Sequence, residues 1–358
     1  MSLSTDRALY SALPHSGARL LIREAIVKMA AGGSLSQAEA AAAMESIMSG
    51  EATPAQIAAF VTGLRFKGES VDEIAGLARV MRLRAVHVST PHQVVDTCGT
   101  GGDASGSINV STIAAFVVAA AGGRVAKHGN RAMSSQAGSA DVLEALGVKL
   151  DVGPEGVARC IDEVGIGFMF AQAFHPAMRH AAAPRREIGI RTVFNILGPL
   201  TNPARARHQL VGVGDPTLVG RMAGALAALG SRHALVVHGG EGLDEISVGG
   251  PTKVAEVVDG AIREYEISPE DVGMTRAPLS QIAGGTADEN ARLARRILDG
   301  EPGPRRDVVV LNAGAALVAA DLVRDLKTGV ARAAEAIDTG GARRTLEQLV
   351  RLSGELAK

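Results

Sequence analysis

Two groups of apolar residues between positions 55 and 85 are spaced three or four residues apart, as on one face of a helix. Helices of this kind pack against each other on their apolar faces. The pattern therefore predicts a small helical domain. The two groups are Ile57, Phe60, Val61 and Leu64, and Ile74, Leu77, Ala78 and Met81.

Helix starts in the same region support this prediction. Ser36, Thr53 and Ser70 are each followed three positions later by Glu or Gln, and Pro54 comes directly after Thr53. In such a capping box the hydroxyl accepts a hydrogen bond from the backbone amide of the third helical residue. The side chain of that residue in turn accepts a hydrogen bond from the backbone amide of the cap residue. Three short helices are predicted after Gly33, within a domain that covers residues 1–90.

Beyond Val94 the pattern changes to short β-branched runs separated by helical segments. This alternation predicts an α/β domain over residues 91–358, with a mainly parallel central sheet flanked by helices. A Pro- and Arg-bearing segment near 176–205 interrupts the alternation, and we expect it to cross back to the helical domain. The runs are QVVD, GGRVAKHG, GIGFMFA, QLVGVG, HALVVHGG, TKVAEVV and RDVVVLNAG.

Composition and charge narrow the classes of function. The 358 residues carry 37 Lys and Arg against 38 Asp and Glu, and they include no Trp, so neither a basic field nor stacking platforms favour nucleic acid. The longest apolar run, Ile113 to Ala121, is too short for a bilayer, and the N-terminal residues lack the apolar core of a signal peptide. Two widely separated cysteines suit a reducing cytosol. We expect a cytoplasmic protein that binds neither nucleic acid nor membrane.

The stretch VVDTCGTGGDASGSINVST, which starts at Val94, is dense in glycine. A phosphate-binding P-loop is excluded because no Lys follows the glycines. A dinucleotide fingerprint is formally matched by Gly99, Gly101 and Ala104. Against it, the next strand ends in Lys127 and a histidine rather than in an acid for a ribose hydroxyl.

In a third interpretation, the backbone amides of this loop surround a diphosphate and donate hydrogen bonds to it. Asn109, Ser111 and Thr112 would add side-chain donors at the start of the next helix. Glycine is needed because a Cβ would hold the anion away from the backbone. An ordinary turn with an Asn or Ser cap remains the alternative.

Two further polar segments come after apolar runs. In KHGNR, Lys127 and Arg131 could bind phosphate, whereas a histidine and an asparagine could face a second ligand. In HGGEGLDEIS, the adjacent carboxylates of Asp244 and Glu245 suit a Mg²⁺ ion that bridges phosphates, and Ser111 could complete that site. Solvated surface charge is the alternative for both segments.

For the other candidate site residues, the sequence alone leaves the role open. Either Arg185 or Arg186, with His175 upstream, could present a guanidinium to a carboxylate. Cys98 in the glycine loop could be a nucleophile, but no partner histidine is specified, and a small residue suits any tight turn.

Taken in order, the motifs resemble those of the anthranilate phosphoribosyltransferase family. They are DTCGTGGD, INVST, KHGNR, GSADVLEALG, FHPAM, RTVFNILGPLTNPA and GLDEIS, and the resemblance extends from about Leu35 to beyond Asn312. It implies the nucleoside-phosphorylase-like fold, transfer of the phosphoribosyl group of phosphoribosyl pyrophosphate to anthranilate with Mg²⁺ as cofactor, and a homodimer.

The resemblance also implies roles for individual residues. Lys127, Arg185, Asp244 and Glu245 would be catalytic, and Ser111, Asp244 and Glu245 would bind Mg²⁺. Anthranilate would contact Gly99, His128, Asn130, His175, Arg185 and Pro199. The phosphoribosyl donor would contact Gly99, Gly102, Asp103, Ser107, Asn109, Val110, Ser111, Thr112, Lys127, His128, Gly129, Asn130, Arg131, Ala132, Met133, Ser134, Ser135 and Ser139.

Two rival functions share this scaffold. A nucleoside phosphorylase would use phosphate against a nucleoside, whereas Asp244, Glu245 and KHGNR favour the transferase. A non-catalytic nucleic-acid-binding relative would need a basic groove and weakened metal positions, and the sequence indicates neither.

Overall fold

The computed structural model describes residues 22–103, 105–132 and 136–357. The N-terminal residues used in the signal-peptide argument, Ala104, and the predicted donor contacts Met133, Ser134 and Ser135 lie outside these ranges. The described residues form two compact units, one of residues 22–84 with 177–197 and one of residues 85–176 with 198–357. The domain limits expected at residue 90 and near 176–205 stay a prediction.

Helices make up most of the first unit and a large part of the second. Within the described ranges, each helix is too short or too polar to cross a membrane. In chain order the helices are α1 (Ile22–Ala30), α2 (Gln37–Met48), α3 (Pro54–Lys67), α4 (Val71–Arg84), α5 (Val110–Ala120), α6 (Ser139–Ala145), α7 (Gly153–Val164), α8 (Ala171–Phe174), α9 (Arg179–Ile188), α10 (Phe194–Leu197), α11 (Val219–Ala228), α12 (Ala287–Leu298), α13 (Pro304–Ala319), α14 (Leu326–Asp338) and α15 (Gly341–Leu356).

The first unit is helical, and local signals determine where its helices begin. Ser36, Thr53 and Ser70 each exchange two hydrogen bonds with the Glu or Gln three residues later, at the starts of α2, α3 and α4. Every residue of the two predicted apolar faces is buried. The three predicted helices are therefore confirmed. Helix α1, which buries Ile22 and Met29, was not predicted.

The second unit contains a seven-stranded sheet in the order β3-β2-β1-β4-β5-β6-β7. The first five strands pair in parallel, and the last two are antiparallel, so the predicted mainly parallel α/β sheet is confirmed. The strands are β1 (Val95–Gly99), β2 (Val125–Gly129), β3 (Ile166–Phe170), β4 (His208–Gly212), β5 (His233–Gly239), β6 (Thr252–Val258) and β7 (Ala261–Ile267).

One predicted strand is wrong. RDVVVLNAG lies in α13, which begins at Pro304 and buries residues on all sides, so no amphipathic period marks it as a helix. The seventh strand is instead β7, an edge strand with exposed charged residues that shows no apolar run. Its hairpin turn is the pair Asp259 and Gly260, both with positive φ, as a two-residue turn requires.

The carboxyl ends of the parallel strands lie at one edge of the sheet, where ligands bind in folds of this kind. Strands β1, β2, β4 and β5 all end on a glycine. The loop after β1 leads into α5, which is buried from Ile113 to Ala119 and packs with α13 in the main core. This core supports the strand ends from which the candidate site is built.

Candidate active site

The glycine loop runs from the end of β1 at Gly99 to the start of α5 at Val110. Gly101, Gly102 and Gly106 have φ values of 63°, 72° and 63°, in the left-handed region that only glycine adopts without strain. In a dinucleotide fold the helix begins within the glycine fingerprint itself, whereas α5 begins several residues later. The geometry favours an extended anion loop over a dinucleotide turn.

The acidic loop after β5 packs directly on two glycines. Gly99 of β1 is paired with Gly212 of β4. A Cβ at Gly99 would lie 2.4 Å from Oδ2 of Asp244, and one at Gly212 would lie 1.6 Å from the carbonyl oxygen of Asp244. The amide of Gly101 donates a hydrogen bond of 2.8 Å to the same carboxylate. Glycine at both strand ends therefore allows Asp244 to reach the glycine loop.

Glu245, the next residue, is buried against the start of α5. Its carboxylate accepts a hydrogen bond of 3.0 Å from the amide of Ser111. Burial raises the pKa of Glu245 well above its usual value, and the nearby carboxylates of Asp244 and Asp103 raise it further, whereas Lys127 lowers it only in part. Burial and the neighbouring carboxylates therefore both disfavour the charged form of Glu245.

Lys127 lies in β2 and is only 2% exposed. Its ammonium donates to the carbonyl of Thr97 at 2.5 Å and to Oγ of Ser111 at 3.3 Å. Burial lowers the pKa of Lys127, and the attraction of Asp96 and Glu245 raises it. The structure thus brings together a buried ammonium, the hydroxyl of Ser111 and the acidic pair, as the sequence predicted.

The oxygen atoms of Ser111, Asp244 and Glu245 are of the type that Mg²⁺ prefers, and a divalent cation would relieve the repulsion between the two carboxylates. Across residues 22–103, 105–132 and 136–357, no three His, Cys, Asp or Glu side chains form a metal cage. Mg²⁺ is usually held by one or two carboxylates together with water and substrate phosphates. The residues present fit such an ion.

Two buried histidines form a second part of the site. The ring centroids of His128 and His175 are 5.0 Å apart, and Nδ1 of His128 lies 3.2 Å from the carbonyl of Gly198. Burial lowers the pKa of His128 to about 3 and that of His175 to about 4, so both rings are neutral at pH 7. In the described part of the chain, neither Nε2 atom has a hydrogen-bond partner. Two neighbouring rings thus each carry a buried nitrogen without a partner among the described residues.

Asp96 and Asn202 support His128 and were missed by the sequence analysis. The carboxylate of Asp96 accepts the amide of His128 at 3.2 Å and the side-chain amide of Asn202 at 2.8 Å. Asn202 also donates to the carbonyl of Ala126 at 2.8 Å. The acid that ends the run QVVD was the available signal, because a charged residue next to an apolar strand needs buried partners.

In the second loop of the predicted donor site, the described residues on either side, 129–132 and 136–139, are joined by hydrogen bonds. Oγ of Ser139 donates to the carbonyl of Asn130 at 3.3 Å, and a Cβ at Gly129 would lie 2.2 Å from that Oγ atom. Asp141 accepts the amides of Ala132 and Gly138, both at 2.9 Å. Asp141 therefore holds together the two ends of this loop.

The structure does not bring two predicted donor contacts into the cluster. Arg131 was predicted to bind phosphate. Its guanidinium instead pairs with the carboxylates of Asp141 and Glu144 and lies over the ring of Phe170. Asn109 makes no side-chain cap on α5. Its Nδ2 instead donates to the carbonyl of residue 137, and its Oδ1 accepts from the side chain of residue 290 in α12, which joins the loop before α6 to that helix.

The remaining predicted ligand contacts differ in their burial and in their hydrogen bonds. Oγ1 of Thr112 is buried and has no hydrogen-bond partner among the described residues. Val110 is a buried apolar residue, and Ser107 shares a hydrogen bond with Ser105. Pro199 is buried, and its carbonyl accepts the side-chain amide of residue 209 at 2.7 Å.

Arg185 and Arg186 lie in the last turn of α9, in the first unit. Arg185 is partly buried, and its guanidinium lies 5.1 Å from the ring centroid of Phe194, whereas Arg186 is exposed. Burial lowers the pKa of Arg185. No carboxylate pairs with Arg185 within the described ranges. A half-buried guanidinium of this kind suits an anionic ligand.

Cys98 is a poor nucleophile in this structure. Its thiol is 8% exposed, and burial together with the charge of Asp96 raises its pKa well above the usual value. The thiolate is the reactive form, so the nucleophile hypothesis is not supported.

Family models match both units. The model described as glycosyl transferase family, a/b domain, matches residues 91–343, and the model described as glycosyl transferase family, helical bundle domain, matches residues 23–85. The fold and the site therefore define a member of the glycosyl transferase family.

Similar proteins identify the member of the glycosyl transferase family more closely. An anthranilate phosphoribosyltransferase of Symbiobacterium thermophilum is 61% identical over 90% of this chain and 95% of its own length. The crystal structure of anthranilate phosphoribosyltransferase from Thermus thermophilus is 48% identical, with a TM-score of 0.88 over 92% of this chain and 99% of that chain. The enzyme from Saccharomyces cerevisiae in complex with PRPP and Mg is 27% identical, with a TM-score of 0.85 over 93% and 98%. The chain belongs to the anthranilate phosphoribosyltransferase family, which confirms the resemblance of its motifs.

Proposed function

We propose that this chain transfers the phosphoribosyl group of phosphoribosyl pyrophosphate to the amine of anthranilate, as a step of tryptophan biosynthesis. The products are N-(5-phosphoribosyl)anthranilate and pyrophosphate. The observation that carries the proposal is the contact between the glycine loop, Lys127, Ser111 and the acidic pair Asp244 and Glu245. This cluster combines bare amides, one ammonium and oxygen ligands for a cation, which is what a diphosphate leaving group requires.

In this proposal Ser111, Asp244 and Glu245 hold Mg²⁺. When bound, the ion would offset the negative charge that develops as the bond from ribose C1 to pyrophosphate breaks. Lys127 and the amides of the glycine loop stabilise the same charge, and Lys127 needs little rearrangement because Thr97 and Ser111 already hold its ammonium. Leaving-group stabilisation is therefore the main catalytic contribution of the chain.

Arg185 is proposed to bind the carboxylate of anthranilate. The aromatic amine is neutral at pH 7, so the reaction needs no strong general base. His128 and His175 are neutral as well, and in the proposal their unpaired Nε2 atoms accept hydrogen bonds from the amine. These contacts, with Asn130 and Pro199 as further predicted neighbours, orient the amine toward ribose C1.

We also propose that the protein is a cytoplasmic homodimer. The support is the resemblance of its motifs and the sparse cysteines of the chain. Light scattering coupled to size-exclusion chromatography would test the dimer, and a mass of one chain at working concentration would contradict it.

The activity is tested by the loss of anthranilate fluorescence when phosphoribosyl pyrophosphate and Mg²⁺ are added to the purified protein. We expect a Mg²⁺-dependent loss with the wild type and little with Asp244→Asn. Arg185→Ala should raise the KM for anthranilate by at least ~10-fold through loss of a charge pair. The exposed neighbour variant Arg186→Ala is the matched control and should behave as wild type. Equal effects of the two arginine variants would remove the assigned role of Arg185.

A further inference from the structure

Asn312 is a polar residue in the middle of the apolar helix α13. It is 0% exposed and lies between Leu311 and Ala313, both of which are also buried. A buried side-chain amide costs free energy unless its donors and acceptor are hydrogen-bonded. The partners of Asn312 therefore indicate why this position holds an asparagine.

Both partners outside the helix belong to a single residue. Nδ2 of Asn312 donates to the carbonyl of Ile246 at 2.9 Å, and Oδ1 of Asn312 accepts the amide of Ile246 at 2.9 Å. The second proton of Nδ2 goes to the carbonyl of Val308, one turn earlier in α13, at 2.9 Å. Both protons of Nδ2 are thus bonded, and among the described residues the hydrogen bonds of this side chain outside α13 all go to Ile246.

Ile246 directly follows the acidic pair. Its amide belongs to the peptide group that it shares with Glu245, and its carbonyl belongs to the next peptide group. Two hydrogen bonds from a rigid, buried helix therefore fix the peptide groups on both sides of Ile246. The preceding residues include Gly239, Gly240 and Gly242, which restrict the backbone little by themselves.

We propose that Asn312 is a positioning residue for the acidic pair. By holding Ile246, it keeps Glu245 against the amide of Ser111 and keeps Asp244 against the glycine loop. Asn312 acts through the backbone and is not one of the predicted ligand contacts. The inference rests on the proposed function of the acidic pair in holding Mg²⁺.

The test compares Asn312→Leu and Asn312→Asp with Ser353→Ala. Ser353 is also a buried helix residue whose side chain accepts a loop amide, that of Lys149 at 3.0 Å, but it lies in α15, and its hydrogen bonds among the described residues go to Lys149 and Val350. The first measurement is hydrogen exchange of residues 243–250 in the metal-free protein. The second is the Mg²⁺ concentration for half-maximal activity, with the KM for anthranilate measured alongside.

We expect Asn312→Leu to speed exchange in this segment and to raise the half-maximal Mg²⁺ concentration by about tenfold, because two hydrogen bonds are lost. Asn312→Asp keeps the acceptor for the amide of Ile246 and should give a smaller shift in the same direction. The KM for anthranilate should stay within about twofold of the wild-type value. Ser353→Ala should lower the melting temperature without either effect. If Asn312→Leu does not fold, Asn312→Asp decides the question.

Unchanged exchange and an unchanged Mg²⁺ requirement in folded Asn312 variants would overturn the inference. Asp244→Asn, measured in the same series, separates this failure from failure of the proposed function. If Asp244→Asn changes the Mg²⁺ requirement and the Asn312 variants do not, only the positioning role is wrong. If Asp244→Asn leaves the requirement unchanged, the proposed metal site itself is wrong, and the inference falls with it.

Discussion

Two buried glutamates, one in each unit of the protein, are in opposite situations. Glu73 in α4 is 0% exposed, and three donors surround its carboxylate. The amide of Leu35 donates at 2.9 Å, the amide of Ser70 at 2.7 Å and the ammonium of Lys67 at 2.8 Å. The charge of Glu73 is thus compensated by the fold itself.

Glu245 is almost as deeply buried, at 7% exposure, but its neighbours differ in kind. Among the described residues it accepts one hydrogen bond, from the amide of Ser111, and it interacts with the like charges of Asp244 and Asp103. Burial raises the pKa of Glu245 well above its usual value, the like charges raise it further, and Lys127 lowers it only in part.

The comparison shows how a buried carboxylate reveals its role. Where the donors of the fold match the charge, the carboxylate joins elements of the structure, and removing it leaves those donors unpaired. Where like charges crowd together, the carboxylate costs stability and is retained for a ligand that supplies the missing positive charge. Burial alone does not distinguish the two cases.

The largest expected effect is on stability, at Glu73. Glu73→Leu would remove the acceptor of the buried amide of Leu35 and of the part-buried amide of Ser70, and the carboxylate paired with Lys67, so the free energy of unfolding should fall by about 3–5 kcal/mol. Urea denaturation followed by circular dichroism measures this loss. Glu45→Leu is the matched control, because Glu45 pairs with Arg84 on the surface and should contribute at most about 1 kcal/mol. Similar losses in the two variants would remove the distinction that the comparison draws.

Glu245→Gln should have the opposite outcome. The amide oxygen can still accept the hydrogen bond from Ser111, while the repulsion from Asp244 disappears, so the metal-free protein should keep or raise its melting temperature. Activity should fall by roughly 10²-fold, because a group that acts on charge in the transition state is lost. Calorimetry and the fluorescence assay check the two effects separately. A variant that is destabilised yet fully active would reverse the roles given to the two glutamates.

His128 extends the comparison to a buried titratable group that is neutral at pH 7, because burial lowers its pKa. Its pKa in the folded protein is about 3, below the value of about 6.5 for an unfolded chain, so between these pH values the unfolded state binds more protons. Stability should therefore fall as the pH decreases from about 6.5, with a slope of up to about 1.4 kcal/mol per pH unit from this residue. His128→Gln should reduce the slope of melting temperature against pH between 4 and 6.5. The slope should not change in His92→Gln, which alters a more exposed histidine.

The helical unit was the more predictable part of the fold, because its signals are local. The hydroxyls of Ser36, Thr53 and Ser70 bond residues only three positions away, and the apolar faces follow one period. Helix α13 was mistaken for a strand because its burial on all sides removes that period. The edge strand β7 has no apolar run, although the turn at Asp259 and Gly260 was a usable signal.

In the site, the positions of residues that belong to recognisable motifs could be predicted from the sequence. The positions of residues that bond the backbone of a distant segment could not. The contact of Lys127 with Ser111 joins two segments whose chemistry is visible in the sequence. Asn312 bonds a backbone 66 positions away, and nothing in its own neighbourhood indicates that partner. The carboxylate partners of Arg131 were not predicted either, since they lie on the following helix.

The state of the two thiols has a practical consequence. Burial raises the pKa of Cys98 well above its usual value and raises that of Cys160 to about 11, so at neutral pH both remain protonated and shielded from reagents. These are the only cysteines of the sequence. A single cysteine introduced at an exposed position such as Phe66, which is 84% exposed, would therefore take a fluorescent or spin label selectively. The native protein is in this respect ready for distance measurements in solution, without removal of its own cysteines.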